Sequence, residues 1–406
     1  MTHSRTHFLF LNLGHFLDHL FLLIFATAAA LTLARDWGMS YAELIPYATP
    51  GFVAFAACSI PAGWIADKWS RQGMMAIFFL GIGVSAILAA QANSPLQIAL
   101  GLFAIGVFAA IYHPVGLALV VHGRDKTGVP LAINGIFGNL GVACAALITG
   151  FMIEWTGWRS AFVLPGVASV LIGIAYVAFI VRMRKAEAAA PAAKKPAAAE
   201  GPKVARRDLV RLFSIIFFST AVGGLVFQST TFSLPKVFEE RLGDIADSAS
   251  MIGWYAFLVF AVAAFAQLAV GYLVDRYSVR TVFACVAGLQ AVFFAAMYQL
   301  TGVAALVVSV AFMLVVFGQI PINDVLVGRV TKSEWRSRVF ALRYIVTFSV
   351  SASAVPLIAW IHVRGGFSTL FLVLAVAATA IFAAVLMLPR RHHVIAGAAA
   401  KTAPAE

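Results

Sequence analysis

The sequence predicts an all-α membrane protein with twelve transmembrane helices in two pseudo-symmetric six-helix bundles. Three observations predict it. Apolar residues make up 62% of the 406 positions and charged residues only 11%, with a mean hydropathy of +0.93. Water cannot keep that much apolar surface dispersed, which excludes an ordinary soluble domain. Apolar runs recur that exceed the roughly 20 residues needed to cross a bilayer core. Finally, one polar stretch between such runs occurs twice, as Gly63-Trp64-Ile65-Ala66-Asp67-Lys68-Trp69-Ser70-Arg71 and as Gly271-Tyr272-Leu273-Val274-Asp275-Arg276-Tyr277-Ser278-Val279-Arg280. The glycine and the aspartate are displaced equally between the copies, by about half the chain. In a membrane chain such a repeat points to a transporter built from two like bundles.

The net charge of +12 records topology. With the N-terminus placed in the cytoplasm, twelve alternating spans leave only Arg35, Arg159, Lys236, Arg241 and Arg364 outside and Arg343 within a span. All other Lys and Arg fall on the cytoplasmic side, as the positive-inside rule requires, so both termini are expected in the cytoplasm and no nucleic-acid partner is expected. A bacterial inner membrane is the expected location. Cys58, Cys144 and Cys285 lie in apolar runs without metal or redox spacing. No cleavable signal peptide is expected, because the first apolar run is long and carries His15, Asp18 and His19.

The first span, about 8–33, is the most informative. His15, Asp18 and His19 stand at i, i+3 and i+4 and share one helix face near mid-bilayer. Ionisable groups at that depth face a cavity or a partner. They form either a structural network or a proton-responsive site. The second span carries Pro46, Pro50 and Pro61, which kink a helix. The fourth holds Tyr112-His113-Pro114, with His113 either a packed residue or a cavity group. In the fifth, Gly135, Gly138 and Gly141 permit close helix approach, and Asn134 and Asn139 reach either the cavity or a neighbouring helix. Residues 183–208 and the segment after Pro389 lack an apolar period and cannot bury a core. The seventh span carries Gln228, and the tenth ends in Gln319, Asn323 and Asp324. Arg343 and Tyr344 lie at similar depth in the eleventh. The simplest account pairs Asp324 with Arg343, since an unpaired buried charge is costly.

The repeated stretch resembles the loop between helices 2 and 3 of the major facilitator superfamily, Gly-x-x-x-Asp-Arg/Lys-x-Gly-Arg. Gly63, Asp67, Lys68 and Arg71 match it, as do Gly271, Asp275 and Arg276, while Ser70 and Ser278 replace the second glycine. Trp158-Arg159-Ser160 resembles the family's entry to helix 6. The Tyr-His-Pro segment is similar to the fosmidomycin-resistance-type, drug-efflux branch. The resemblance implies a bundle over 1–182, a flexible cytoplasmic linker over 183–208, a second bundle over 209–389 and a cytoplasmic tail over 390–406. It implies a monomeric carrier in the lipid bilayer, an antiporter working by alternating access and proton-coupled export of a small organic molecule. Asp18, His15 and His19 would be the proton-coupling group. Tyr112, His113, Asn134, Asn139, Gln228, Gln319, Asn323, Asp324, Arg343 and Tyr344 would line or gate the cavity. Gly63, Asp67, Lys68, Arg71, Gly271, Asp275 and Arg276 would latch the cytoplasmic face. No cofactor or resident metal is expected. The alternatives are uptake of a small organic anion, a divalent-metal carrier or a transporter-like sensor. The sequence has no phosphate-binding loop for ATP hydrolysis and no nucleophile–base or zinc-helix motif, so an enzyme is not expected.

Overall fold

The computed structural model describes residues 2–124, 128–187, 206–330 and 333–388. The helices are α1 (Arg5–Asp36), α2 (Tyr41–Lys68), α3 (Arg71–Ala89), α4 (Pro95–Val121), α5 (Gly128–Trp155), α6 (Trp158–Glu187), α7 (Arg206–Arg241), α8 (Ala249–Arg276), α9 (Val279–Ala296) and α10 (Gly302–Val330). The remaining helical stretch, Ser333–Leu386, breaks at Gly365 and at Gly366, whose φ of 61° is open to glycine without strain. Its apolar part alone spans 42 residues. That is about twice the roughly 20 residues a bilayer core needs. It is therefore two spans, α11 (333–364) and α12 (367–386), which brings the described spans to the expected twelve. Between α6 and α7, residues 188–205 of the expected linker lie outside the described residues, as does the tail 390–406.

Serines explain why several helices start where they do. Ser40 and Ser70 cap α2 and α3, accepting from the amides of Glu43 (3.3 Å) and Gly73 (3.0 Å). Ser248 and Ser278 do the same for α8 and α9 through Met251 (3.2 Å) and Thr281 (3.1 Å). The two pairs sit at the displacement of the repeat, so the serine that replaces the motif's second glycine in both copies works as an N-cap. Arginines close the other ends. Arg159 donates to the Ala92 carbonyl (2.9 Å) after α3, and Arg241 donates to the carbonyls of Met297 and Tyr298 after α9. Arg241, expected in an external loop, is thus largely buried.

Within the bundles, α1 lies on α5, α3 on α6, α7 on α11 and α9 on the α11–α12 pair. Glycines set the closest crossings. A Cβ at Gly141 would stand 2.1 Å from the Phe16 carbonyl oxygen, and one at Gly106 2.1 Å from that of Gly51. Such contacts replace the hydrophobic drive that lipid cannot supply. The perimeter exposes large apolar side chains, among them Trp64, Leu100, Val292 and Val376. On a soluble protein these would be a liability; in a bilayer they are the solvated surface.

The two bundles meet chiefly away from the α2–α3 loop. Gly150 of α5 crosses Gly253 of α8, where Glu154 also accepts from the Ser250 amide (2.8 Å). Tyr41 packs on His362 (ring centroids 5.5 Å) and Phe52 on Phe232 (6.0 Å). Gly141→Ala should therefore lower the thermal stability of the purified protein by the roughly 1–3 kcal/mol typical of overpacking. Gly128→Ala, where an added Cβ meets open space, should not.

Candidate functional site

The helical spacing of α1 brings His15, Asp18 and His19 to one side, and a local defect in α4 brings His113 to meet them. Pro114 has no amide hydrogen, and Tyr112–Gly116 forms a π turn. Such turns admit one extra residue and recur at functional sites. Here the turn leaves both Tyr112 and His113 buried. His113 Nε2 lies 3.4 Å from Asp18 Oδ2. The two are close enough to interact as charges, yet neither Asp18 oxygen makes a hydrogen bond in that geometry, and the carboxyl is wholly shielded from solvent. Asp18 thus faces a partner rather than an opening.

His15 is the best-held member. Its Nδ1 stands 2.8 Å from the Asn134 carbonyl oxygen. A carbonyl only accepts, so Nδ1 carries the hydrogen and Nε2 of the neutral ring is bare. That Nε2 faces His19 Nε2 at 3.2 Å. The His15 ring stacks on Tyr112 with centroids 4.8 Å apart, and it occupies the space a side chain at Gly138 would take, 2.6 Å from His15 Nε2. Behind it, Tyr112 donates to the Leu11 carbonyl (2.7 Å), and Asn134 Nδ2 donates to Asn12 Oδ1 (2.9 Å) and contacts the Tyr112 hydroxyl at 2.9 Å. Asn12 is absent from the sequence-derived set. It stands three residues before His15 on the same face, which is the signal that could have found it.

A second polar sector lies in the other bundle. Arg343 bonds Asp324; the arginine is buried, whereas 38% of the Asp324 side chain is open. Ser219 donates to Asn323 Oδ1 (3.2 Å), Gln290 donates to Gln319 Oε1 (2.7 Å), and Gln319 donates to the Ser219 carbonyl (3.4 Å). Ser219 and Gln290 also lie outside the predicted set. The sectors approach through aromatic rings, with Phe348 of α11 5.0 Å from His113 and 4.5 Å from Phe55. Asn139 and Gln228 are buried but join neither network: Asn139 Nδ2 and Gln228 Nε2 have no hydrogen-bond partner. The Tyr344 side chain lies outside the described residues.

The expected latch residues lie apart from both sectors. Asp67 accepts from Arg71 of its own loop at 2.7 Å, and Arg276 lies over the Tyr272 ring at 4.1 Å. Asp67, Lys68, Asp275 and Arg276 are exposed. Gly63 is not interchangeable with its repeat partner: a Cβ there would lie 3.2 Å from Pro114 Cβ, whereas one at Gly271 would meet open space.

Comparison with known proteins adds three findings. The family model described as Major Facilitator Superfamily matches residues 11–246 and 242–405. Among curated proteins, a puromycin resistance protein of Streptomyces alboniger is 30% identical over 31% of this chain and 25% of its own length. An MFS-type efflux pump of Mycolicibacterium smegmatis is 26% identical over 56% of this chain and 52% of its own. The chain thus spans from a quarter to about half of these two relatives. Among solved structures, a bacterial homolog of the human lysosomal transporter Spinster, inward-facing and unoccupied, superposes with a TM-score of 0.68 at 15% identity, covering 98% of this chain and 96% of that one. At that identity the likeness shows a shared fold.

Asp324→Asn would leave the buried Arg343 guanidinium without its carboxylate and should destabilise the purified protein by about 1–2 kcal/mol, less than a wholly buried pair would lose because Asp324 is partly open. Adding Arg343→Gln should recover most of that loss. Equal melting points for the single and double variants would show that the two groups are not coupled.

Proposed function

From the premise that the chain belongs to the Major Facilitator Superfamily and is a multi-pass membrane transporter, we propose that it exports a small organic molecule in exchange for protons by alternating access. The observation that carries the reading is the Asp18 carboxyl, wholly buried in the middle of a span and facing His113. A carboxyl at that depth is expensive to keep and is a functional candidate by default. Asp18 is the proton-responsive group, and His15, His19 and His113 are its polar neighbours. The substrate cavity lies between the two polar sectors, with Gln319, Asn323, Asp324 and Arg343 on one wall and Asn134 bracing the histidine wall from behind. The unpaired amide nitrogens of Asn139 and Gln228 would gain a partner when a polar substrate enters.

The export direction draws support from the resistance protein and the efflux pump. Conformation supports alternating access. The bundles touch mainly on the side of Tyr41 and Glu154, while the exposed Asp67 loop keeps its ion pair to itself. We read this as the form open toward the α2–α3 loop, which the positive-inside rule places in the cytoplasm. Closure would bring Asp67, Lys68 and Arg71 toward the neighbourhood of Asp275 and Arg276. The chain would act as a monomer. Arg343, buried in the second bundle, favours one other reading, uptake of a small organic anion.

The test uses protein in liposomes with an imposed pH gradient and a panel of labelled compounds that includes puromycin and aromatic carboxylates. Gradient-driven transport of at least one compound is expected. Asp18→Asn should reduce it by about tenfold, within the range usual for two linked binding events, while substrate exchange at equal pH persists. An Asp18→Asn variant as active and as gradient-dependent as the wild type would sink the coupling role. Net carboxylate uptake would select the second reading.

A further inference from the structure

We infer that His15, His19 and His113 form a binding site for one divalent transition-metal ion of the zinc type, with the Asp18 carboxylate completing or balancing it. Among the described residues these three histidines each bring one ring nitrogen within 4.8 Å of the others. They come from two helices, α1 and α4, and no hydrogen bond within the group would draw all three together. The His15–His19 contact is the only one, at 3.2 Å.

The distances suit a metal as well as they suit a His15–His19 hydrogen bond, and a metal would engage His113 as well. Tetrahedral zinc with nitrogen ligands at about 2.0–2.1 Å places neighbouring ligand atoms roughly 3.3 Å apart. His15 Nε2 to His19 Nε2 is 3.2 Å, and His113 Nε2 to Asp18 Oδ2 is 3.4 Å. The widest spacing among the histidine nitrogens, 4.8 Å, closes with a modest rotation of the rings. His19 is the freest to turn, being only partly buried.

The support around the ligands is of the kind that metal sites require. A ligating histidine usually donates its other ring hydrogen to a carbonyl or carboxylate, which fixes the tautomer and aims the lone pair. His15 does so to the Asn134 carbonyl at 2.8 Å. Tyr112 stacks on the same ring, and the missing side chain at Gly138 leaves it room. Asp18 supplies the negative charge that a buried dication needs, and its two oxygens are without hydrogen bonds. Three imidazoles, with the Asp18 carboxylate beside His113 as counter-charge, select the ion by chemistry. They suit zinc, cobalt, nickel or copper, whereas magnesium and calcium call for all-oxygen shells.

The inference draws on the same side chains as the proposed proton site but does not rest on the transport reading, because binding needs no gradient and no organic substrate. The experiment titrates Co2+, a spectroscopic stand-in for Zn2+, into full-length protein purified without a histidine tag. One saturable Co2+ per chain is expected, with the visible absorption of tetrahedral nitrogen coordination and displacement by Zn2+. His19→Ala and His113→Gln should each weaken binding at least tenfold. Asp18→Asn should weaken it by about 10- to 100-fold whether it acts as ligand or as outer partner. His122→Ala, outside the cluster, should leave binding unchanged. Because a core substitution could unfold the protein, each variant's melting point is compared with wild type, and Gly138→Ala, which keeps every ligand but crowds His15, should also weaken binding. Absence of saturable Co2+ binding, or binding that survives both His19→Ala and His113→Gln, overturns the site. Loss of Co2+ binding with transport of the organic panel intact would leave the transport reading standing; failed transport with Co2+ binding intact would leave the metal site standing.

Discussion

The approach of α1 to α5 is the contact on which the rest of the first bundle depends. At Gly141 the two backbones come so close that no side chain fits between them, and one turn earlier Gly138 makes room for the His15 ring. That proximity brings the Asn134 carbonyl within reach of His15 and lets Asn12, Tyr112 and Asn134 satisfy one another behind it. In a bilayer the exposed alternative is not water but hydrocarbon, so polar groups on an apolar helix are held where a partner can meet them. Spread these helices by the width of a methyl group and the histidine loses its anchor.

The second bundle repeats the frame without repeating the chemistry. Capping serines recur at matching positions, and the ends of α3 and α9 are each closed by an arginine, although Arg159 and Arg241 come from different places in their halves. The interior diverges. One half carries imidazoles around a hidden carboxyl, the other an amide chain and an Asp324–Arg343 pair. The two halves thus share what folding needs, namely caps and crossings, while their central side chains differ.

Much of this was legible in the sequence. Hydropathy and the repeated loop carry the span count and the two-bundle plan, because those properties are set by length and composition. The face shared by His15, Asp18 and His19 follows from helical spacing alone. The arrival of His113 does not, since it depends on a π turn that no spacing rule announces. Asn12, Ser219 and Gln290 fall outside the predicted site because a single amide or hydroxyl in an apolar run carries no charge to flag it. Asn139 and Gln228 were chosen for their polarity, yet polarity alone does not say which way a side chain turns. The meeting of Phe348 with His113 joins residues from different bundles, and nothing local encodes that.

The packing of Gly63 against Pro114 has a mechanical consequence. It seats the C-terminal end of α2, just ahead of the Asp67 loop, on the proline whose missing amide hydrogen accompanies the π turn of α4. Pro114 is the immediate neighbour of His113. Any movement of the Asp67 loop relative to α4 would press on this bearing and reach the imidazole next door, so loop and histidine would shift together.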